Sequence, residues 1–191
     1  MSGIGHNNGP TMEAGYSWRK HSWSKARAEL LPTLPIEVLR TRVKRAKALG
    51  LPYKTYASVR ASTGRDVVGF LFSNNALRVQ IEGQRVPEAR VKKLTDAAAK
   101  LAALVHAPLA PEAFRDLMAQ DGLTIEAARA PHFSQSWSDS ARAVLAPVQA
   151  AKLPRDGVLV IGDTALEAEW SEIAKLAGFL PSERYFTALD R

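Results

Sequence analysis

"PEARVKKLTDAAAKLAALVHA", residues 87–107, is the stretch on which the fold turns. Apolar side chains recur at Val91, Leu94, Ala98, Leu101 and Val105. Steps of three and four place them on one stripe of a helix. Read so, the stretch is a single amphipathic helix, and the fold class expected is mainly α with a minor β component. The architecture would be a helical module followed by a small C-terminal strand–turn–helix unit.

Upstream, "ALRVQIEGQRVP" (76–87) alternates Leu77, Val79 and Ile81 before a Glu82-Gly83 turn, the pattern of a short strand or hairpin. "RDVVGFLFS" (65–73) is apolar enough to be a core element. Between Pro35 and Leu49 the positions Ile36, Leu39, Val43 and Ala46 form one helical face, and Arg40, Lys44 and Lys47 form another stripe. Gly50 suits the left-handed residue that ends this helix, and Pro52 suits the first turn of the next. That second helix should run to about Thr63 and stop at Gly64.

Downstream, the proline-rich "APLAP" (107–111) is the expected domain boundary. A helix near 112–120, an irregular stretch with His132, Phe133 and Trp137, and a helix near 138–151 follow. "VLVIGDTALEAEWSEIAKLAGF" (158–179) reads as a buried strand, a tight turn and a helix ended by Gly178. The division expected is a flexible N-terminal arm at 1–27, a basic helical domain at 28–106 and an acidic α/β-like unit at 112–191.

Composition narrows the function classes. Of 191 residues, 46% are hydrophobic and 24% charged, which is globular rather than disordered. No apolar run approaches the ~18 residues of a membrane span, so no membrane partner is expected. The first dozen residues lack the basic start and apolar core of a signal peptide. Cysteine is absent, which excludes disulfide and thiolate chemistry and fits the cytoplasm.

Charge is unevenly spread. Residues 1–105 carry 18 Lys and Arg against 7 Asp and Glu, a net of +11, while residues 106–191 carry 8 against 12, a net of −4. A basic half joined to an acidic one suggests a polyanion-binding module attached to a unit with another purpose. In the arm, Trp18 and Trp23 lie among Arg19, Lys20, His21, Lys25 and Arg27. That mixture suits backbone contact with base stacking, or packing of the tryptophans onto the domain. His6 has no second metal-binding residue beside it, so no metal site is expected there.

Four resemblances follow from these residues. The opening "GIGHNNGP" (3–10) resembles the IGHN-x-G/P starts of bacterial and phage-encoded proteins of unassigned role. Residues 42–60 resemble the helix-turn-helix of bacterial repressors: Ala46 at the helix crossing, Gly50 in the turn, Leu49 and Leu51 flanking it, Tyr56 and Val59 on the buried face. "QRVPEARVKKL" is similar to the R-x-P-x-x-R stretch of Cro-like regulators. Tyr56 is larger than the usual valine or isoleucine, and Arg45 stands where an apolar residue is usual. The resemblance implies DNA contacts from Arg45, Lys47, Tyr53, Lys54, Ser58, Arg60 and Arg65. The third resemblance is to ribbon-helix-helix repressors, with contacts from Glu29, Leu31 and Thr33, although Pro32 interrupts the strand that fold needs.

The fourth is carried by "VLVIGD" and Glu167, which resemble the fourth motif of the haloacid dehalogenase phosphohydrolases. There a strand ends in Gly-Asp and a second acid helps to hold magnesium, roles that would fall to Asp163 and Glu167. That family also needs an Asp-x-Asp pair at an earlier strand end, and this chain has no Asp-x-Asp. Thr164 and Glu167 alternatively form a capping box.

The expected function is therefore DNA binding, sequence-specific or general, in a transcriptional regulator of bacterial or phage origin. No enzyme activity, cofactor or metal is expected, and the acidic unit would serve partner binding or dimerisation. The alternatives are a protein-interaction adaptor using the basic face and a degenerate haloacid dehalogenase-like phosphohydrolase.

Overall fold

In the computed structural model, which describes residues 34–187, Lys100–Val105 is a β-strand and the preceding helix stops at Asp96. The single helix expected over 87–107 is thus two elements. Leu101 through Val105 are all 7% exposed or less, so both faces of this strand are covered. A strand buried on both faces reads as a continuous apolar run, and such a short run satisfies helical spacing as well.

The elements in chain order are α1 (Ile36–Ala48), α2 (Tyr53–Thr63), β1 (Gly69–Ser73), α3 (Glu88–Asp96), β2 (Lys100–Val105) and α4 (Pro111–Gln120). There follow β3 (Ile125–Arg129), α5 (Trp137–Ala150), β4 (Val158–Gly162), α6 (Ala165–Ile173), β5 (Gly178–Pro181) and α7 (Ser182–Thr187). The mainly α expectation is corrected: five strands form one all-parallel sheet in the order β3-β2-β1-β4-β5, an α/β fold. Parallel neighbours require crossover connections, which the helices supply.

Three further readings change. Gly178 opens β5 instead of ending a helix, because α6 already stops at Ile173. The irregular stretch before α5 contains β3. Residues 76–87 hold no strand: the amides of Leu77 and Val79 both donate to the Asn74 carbonyl, at 3.2 and 3.0 Å, and both side chains are buried. Their alternation is a property of a coiled excursion, not of a ladder.

The chain divides into two units, residues 1–39 and 40–191. In the first, the described residues 34–39 enter α1, with the Leu39 amide donating to the Pro35 carbonyl at 3.0 Å. The second contains the whole sheet, and residues 107–111 form its β2–α4 connection. The arm at 1–27 and the residues Glu29, Leu31 and Thr33 lie outside the described residues. Among the described residues no helix is long and apolar enough to cross a membrane.

Alternate strand residues feed two cores, as the pleat dictates. Phe70, Phe72, Ala103 and Ile161 pack on one face with Tyr56, Phe114 and Tyr185. Leu71, Leu104 and Val160 pack on the other with Val144 of α5 and Trp170 of α6. The corner between α1 and α2 is where it was expected. Gly50 has φ +65°, and a Cβ there would lie 3.1 Å from Lys93 Cε. Beneath it Lys93, only 6% exposed, donates to the Tyr185 carbonyl and lies 4.5 Å over that ring.

Candidate functional site

In a parallel sheet, connections on either side of a reversal in strand order leave a crevice outside the carboxyl ends of the strands. Here the first strand sits centrally and the order reverses between β1 and β4. Four segments meet at that edge: Ser73-Asn74-Asn75 after β1, His106 after β2, Gly162-Asp163-Thr164 after β4, and Ser182 after β5.

Glu167 lies at the centre, fully buried. Its Oε1 accepts from Asn75 Nδ2 at 2.9 Å and from His106 Nε2 at 3.1 Å. Its Oε2 accepts from the amides of Asp163 and Thr164 at 2.6 and 3.1 Å. The second of these, with Thr164 Oγ1 accepting from the Glu167 amide, is the capping box read in the sequence. Burial alone would raise this carboxyl's pKa, but the donors from His106, the Asp163 amide, Asn75 and the Thr164 amide outweigh it and hold it down to about 2.

Local backbone makes room for this arrangement. A Cβ on Gly162 would stand 2.7 Å from Glu167 Oε2, so only glycine admits the carboxylate at the strand end. Asn74, 1% exposed, ties the ends of β1 and β2 together. Its Oδ1 accepts from the His106 amide at 2.9 Å, and its Nδ2 donates to the Val79 carbonyl at 2.7 Å. The His106 ring stacks on Trp170 at 5.6 Å. Asp163 accepts from Arg78 Nη1 at 3.0 Å and from the Ser182 hydroxyl.

A carboxylate offers about four lone-pair directions, and those of Glu167 are all occupied by protein donors. Buried Ser73 accepts from the Ala76 amide at 3.0 Å, and no base lies within hydrogen-bonding distance of its hydroxyl among the described residues. Nor does any group of three His, Asp or Glu among those residues converge to hold a metal.

The expected DNA contacts lie elsewhere and divide into two sorts. Arg45 donates to Asp66 Oδ2 at 3.0 Å and to the carbonyls of Ala98 and Val67 at 3.0 and 2.8 Å. Arg60 lies 3.8 Å from Asp66, and Arg65 is 2.5 Å from Asp156. These acids precede β1 and β4, at the amino edge of the sheet. Tyr53 is partly buried against the core. Lys47, Lys54 and Ser58 are exposed. Only Arg45 and Arg60 are brought together, on Asp66.

Ser73, Asn74, Asn75, Arg78, His106 and Ser182 escaped the sequence reading. A polar triplet closing the apolar run "GFLF" was the available signal, and reading β2 as helix hid His106. Compared with known proteins, the chain matches no family model, no curated protein and no solved structure.

Proposed function

We propose that this crevice is that of a haloacid dehalogenase-type phosphohydrolase which has lost its nucleophile, and that the protein binds rather than hydrolyses. The observation that carries the reading is the end of β1. Its register pairs Phe72 with Ile161, so Ser73 and Gly162 close adjacent strands. The Gly-Asp motif that resembles that family therefore faces Ser73-Asn74-Asn75, where the earlier strand of the family carries Asp-x-Asp. A hydroxyl and an amide at those two positions supply neither the attacking carboxylate nor a second acid for magnesium. Saturation of Glu167 by four donors supports the same conclusion.

Phosphate release from p-nitrophenyl phosphate in magnesium should stay at background for the parent and for Asp163→Asn alike. Magnesium-dependent turnover that vanishes in Asp163→Asn overturns the reading. We place the protein in the cytoplasm, consistent with its cysteine-free chain.

A second reading, DNA binding through α1 and α2, is favoured by one observation. Lys44, Lys47 and Lys54 are exposed, and no carboxylate lies within 4 Å of their ammonium groups among the described residues. Mobility shift with random duplex at low salt tests it.

A further inference from the structure

Beside the crevice is a cavity of about 390 Å³ lined by Arg78, Pro87, Arg90, Glu183, Phe186 and Thr187 among others. That volume is within the range of small-molecule sites. Two arginines from different segments line it. Arg78 comes from the β1–α3 excursion and has φ 59°, a left-handed conformation unusual for a side chain of its size. Arg90 comes from α3, donates to the Ala76 carbonyl, and lies 4.3 Å over the Phe186 ring.

Each guanidinium has five N–H donors, and each makes one hydrogen bond to protein among the described residues, to Asp163 and Ala76 respectively. The remaining donors have no protein acceptor among the described residues. Arg78 is paired with Asp163, which the Ser182 hydroxyl also holds, so what the cavity offers an anion is the donors these two guanidinium groups have left over, with Glu183 on the wall opposing it. Crowding of like charge is felt: burial and then the Arg78 charge lower the Arg90 pKa, against smaller opposing effects of Asp163 and Glu183.

We propose that this cavity binds the phosphate group of a small phosphate monoester between Arg78 and Arg90, without a metal. Two planar forks from different segments match the several oxygens of a phosphate better than a single carboxylate edge. Pro87 and Phe186 supply apolar wall for the esterified group. The site does not depend on whether the neighbouring crevice hydrolyses.

Calorimetric titration of the full chain in metal chelator with phenyl phosphate, inorganic phosphate and benzoate tests this. Phenyl phosphate should bind with Kd of about 1 mM or tighter, inorganic phosphate more weakly, and benzoate least. Arg78→Asn, which keeps a residue tolerant of positive φ, should weaken phenyl phosphate roughly tenfold. Glu183→Gln should act oppositely and tighten it, because it removes the one acid on the wall among the described residues. No binding of phenyl phosphate, benzoate binding as tightly, or an Arg78→Asn variant that folds and binds like the parent overturns the site. Magnesium-dependent phosphate release, measured separately without chelator, would overturn the silent-crevice reading and leave this one standing.

Discussion

At the scale of single residues, Glu167 shows how one side chain can serve two levels of structure. Its Oε2 caps α6, a local role written in the Thr164–Glu167 spacing. Its Oε1 joins the ends of β1 and β2 through Asn75 and His106, partners 92 and 61 residues away with no local mark in the sequence. The capping half was legible and the bridging half was not, because strand adjacency is a property of topology. The depressed pKa fixes a pH dependence. A carboxyl at about 2 when folded and near 4.5 when unfolded contributes stability that is complete above pH 4.5 and is lost as pH falls towards 2. The shift corresponds to about 3 kcal/mol at neutral pH. Glu167→Gln, which turns an amide N–H₂ towards existing donors, should therefore cost at least ~2 kcal/mol in urea unfolding at pH 7. The gap between parent and variant should narrow steadily from pH 5 to pH 2. A gap independent of pH would mean the carboxylate is not held as described.

Among the elements, helices with their own punctuation were legible. Gly50 and Gly64, at φ +65° and +71°, end α1 and α2 where positive φ was expected. Pro111 opens α4, and Ser136 caps α5 by accepting from the Asp139 amide. Among the strands β4 was legible, set off by the tight turn and helix that follow it, whereas the segment of β1 was legible only as a core element. β2 follows α3 after three alanines, with no glycine or proline between, so nothing in the local chemistry marks the change of period. Ala103 separates the two readings. In a helix running through Val91 and Leu101 it falls on the face opposite the apolar stripe, where glutamate would be harmless. In β2 it is 0% exposed between neighbouring strands. Ala103→Glu should bury an unpartnered charge, lower stability by more than ~3 kcal/mol and leave little folded protein at 37 °C. Circular dichroism melts of parent and variant that superimpose would restore the helix.

For the whole molecule, strand order decides which charges can meet a ligand. The reversal between β1 and β4 gathers Arg78, Asp163 and Glu167 at the carboxyl edge, while Arg45, Arg60 and Arg65 meet Asp66 and Asp156 at the other. Counting charge along the chain shows the basic excess of residues 1–105 but not which cations are internal ties, since each tie is made across the fold. Arg45 is such a tie: three hydrogen bonds join α1 to the segments entering β1 and β2. Arg45→Ala should cost about 1–3 kcal/mol of stability. Lys47→Ala and Lys54→Ala should each fall within ~0.5 kcal/mol of the parent, as exposed positions do. If duplex is bound, the ranking reverses in the salt dependence. Each lysine that touches a phosphate should flatten the log–log slope by about one unit, whereas Arg45→Ala, measured where it is still folded, should leave the slope unchanged. A slope that responds to Arg45 and ignores both lysines would place the contact on the wrong surface, and no shift of random duplex at low salt would remove the DNA reading altogether.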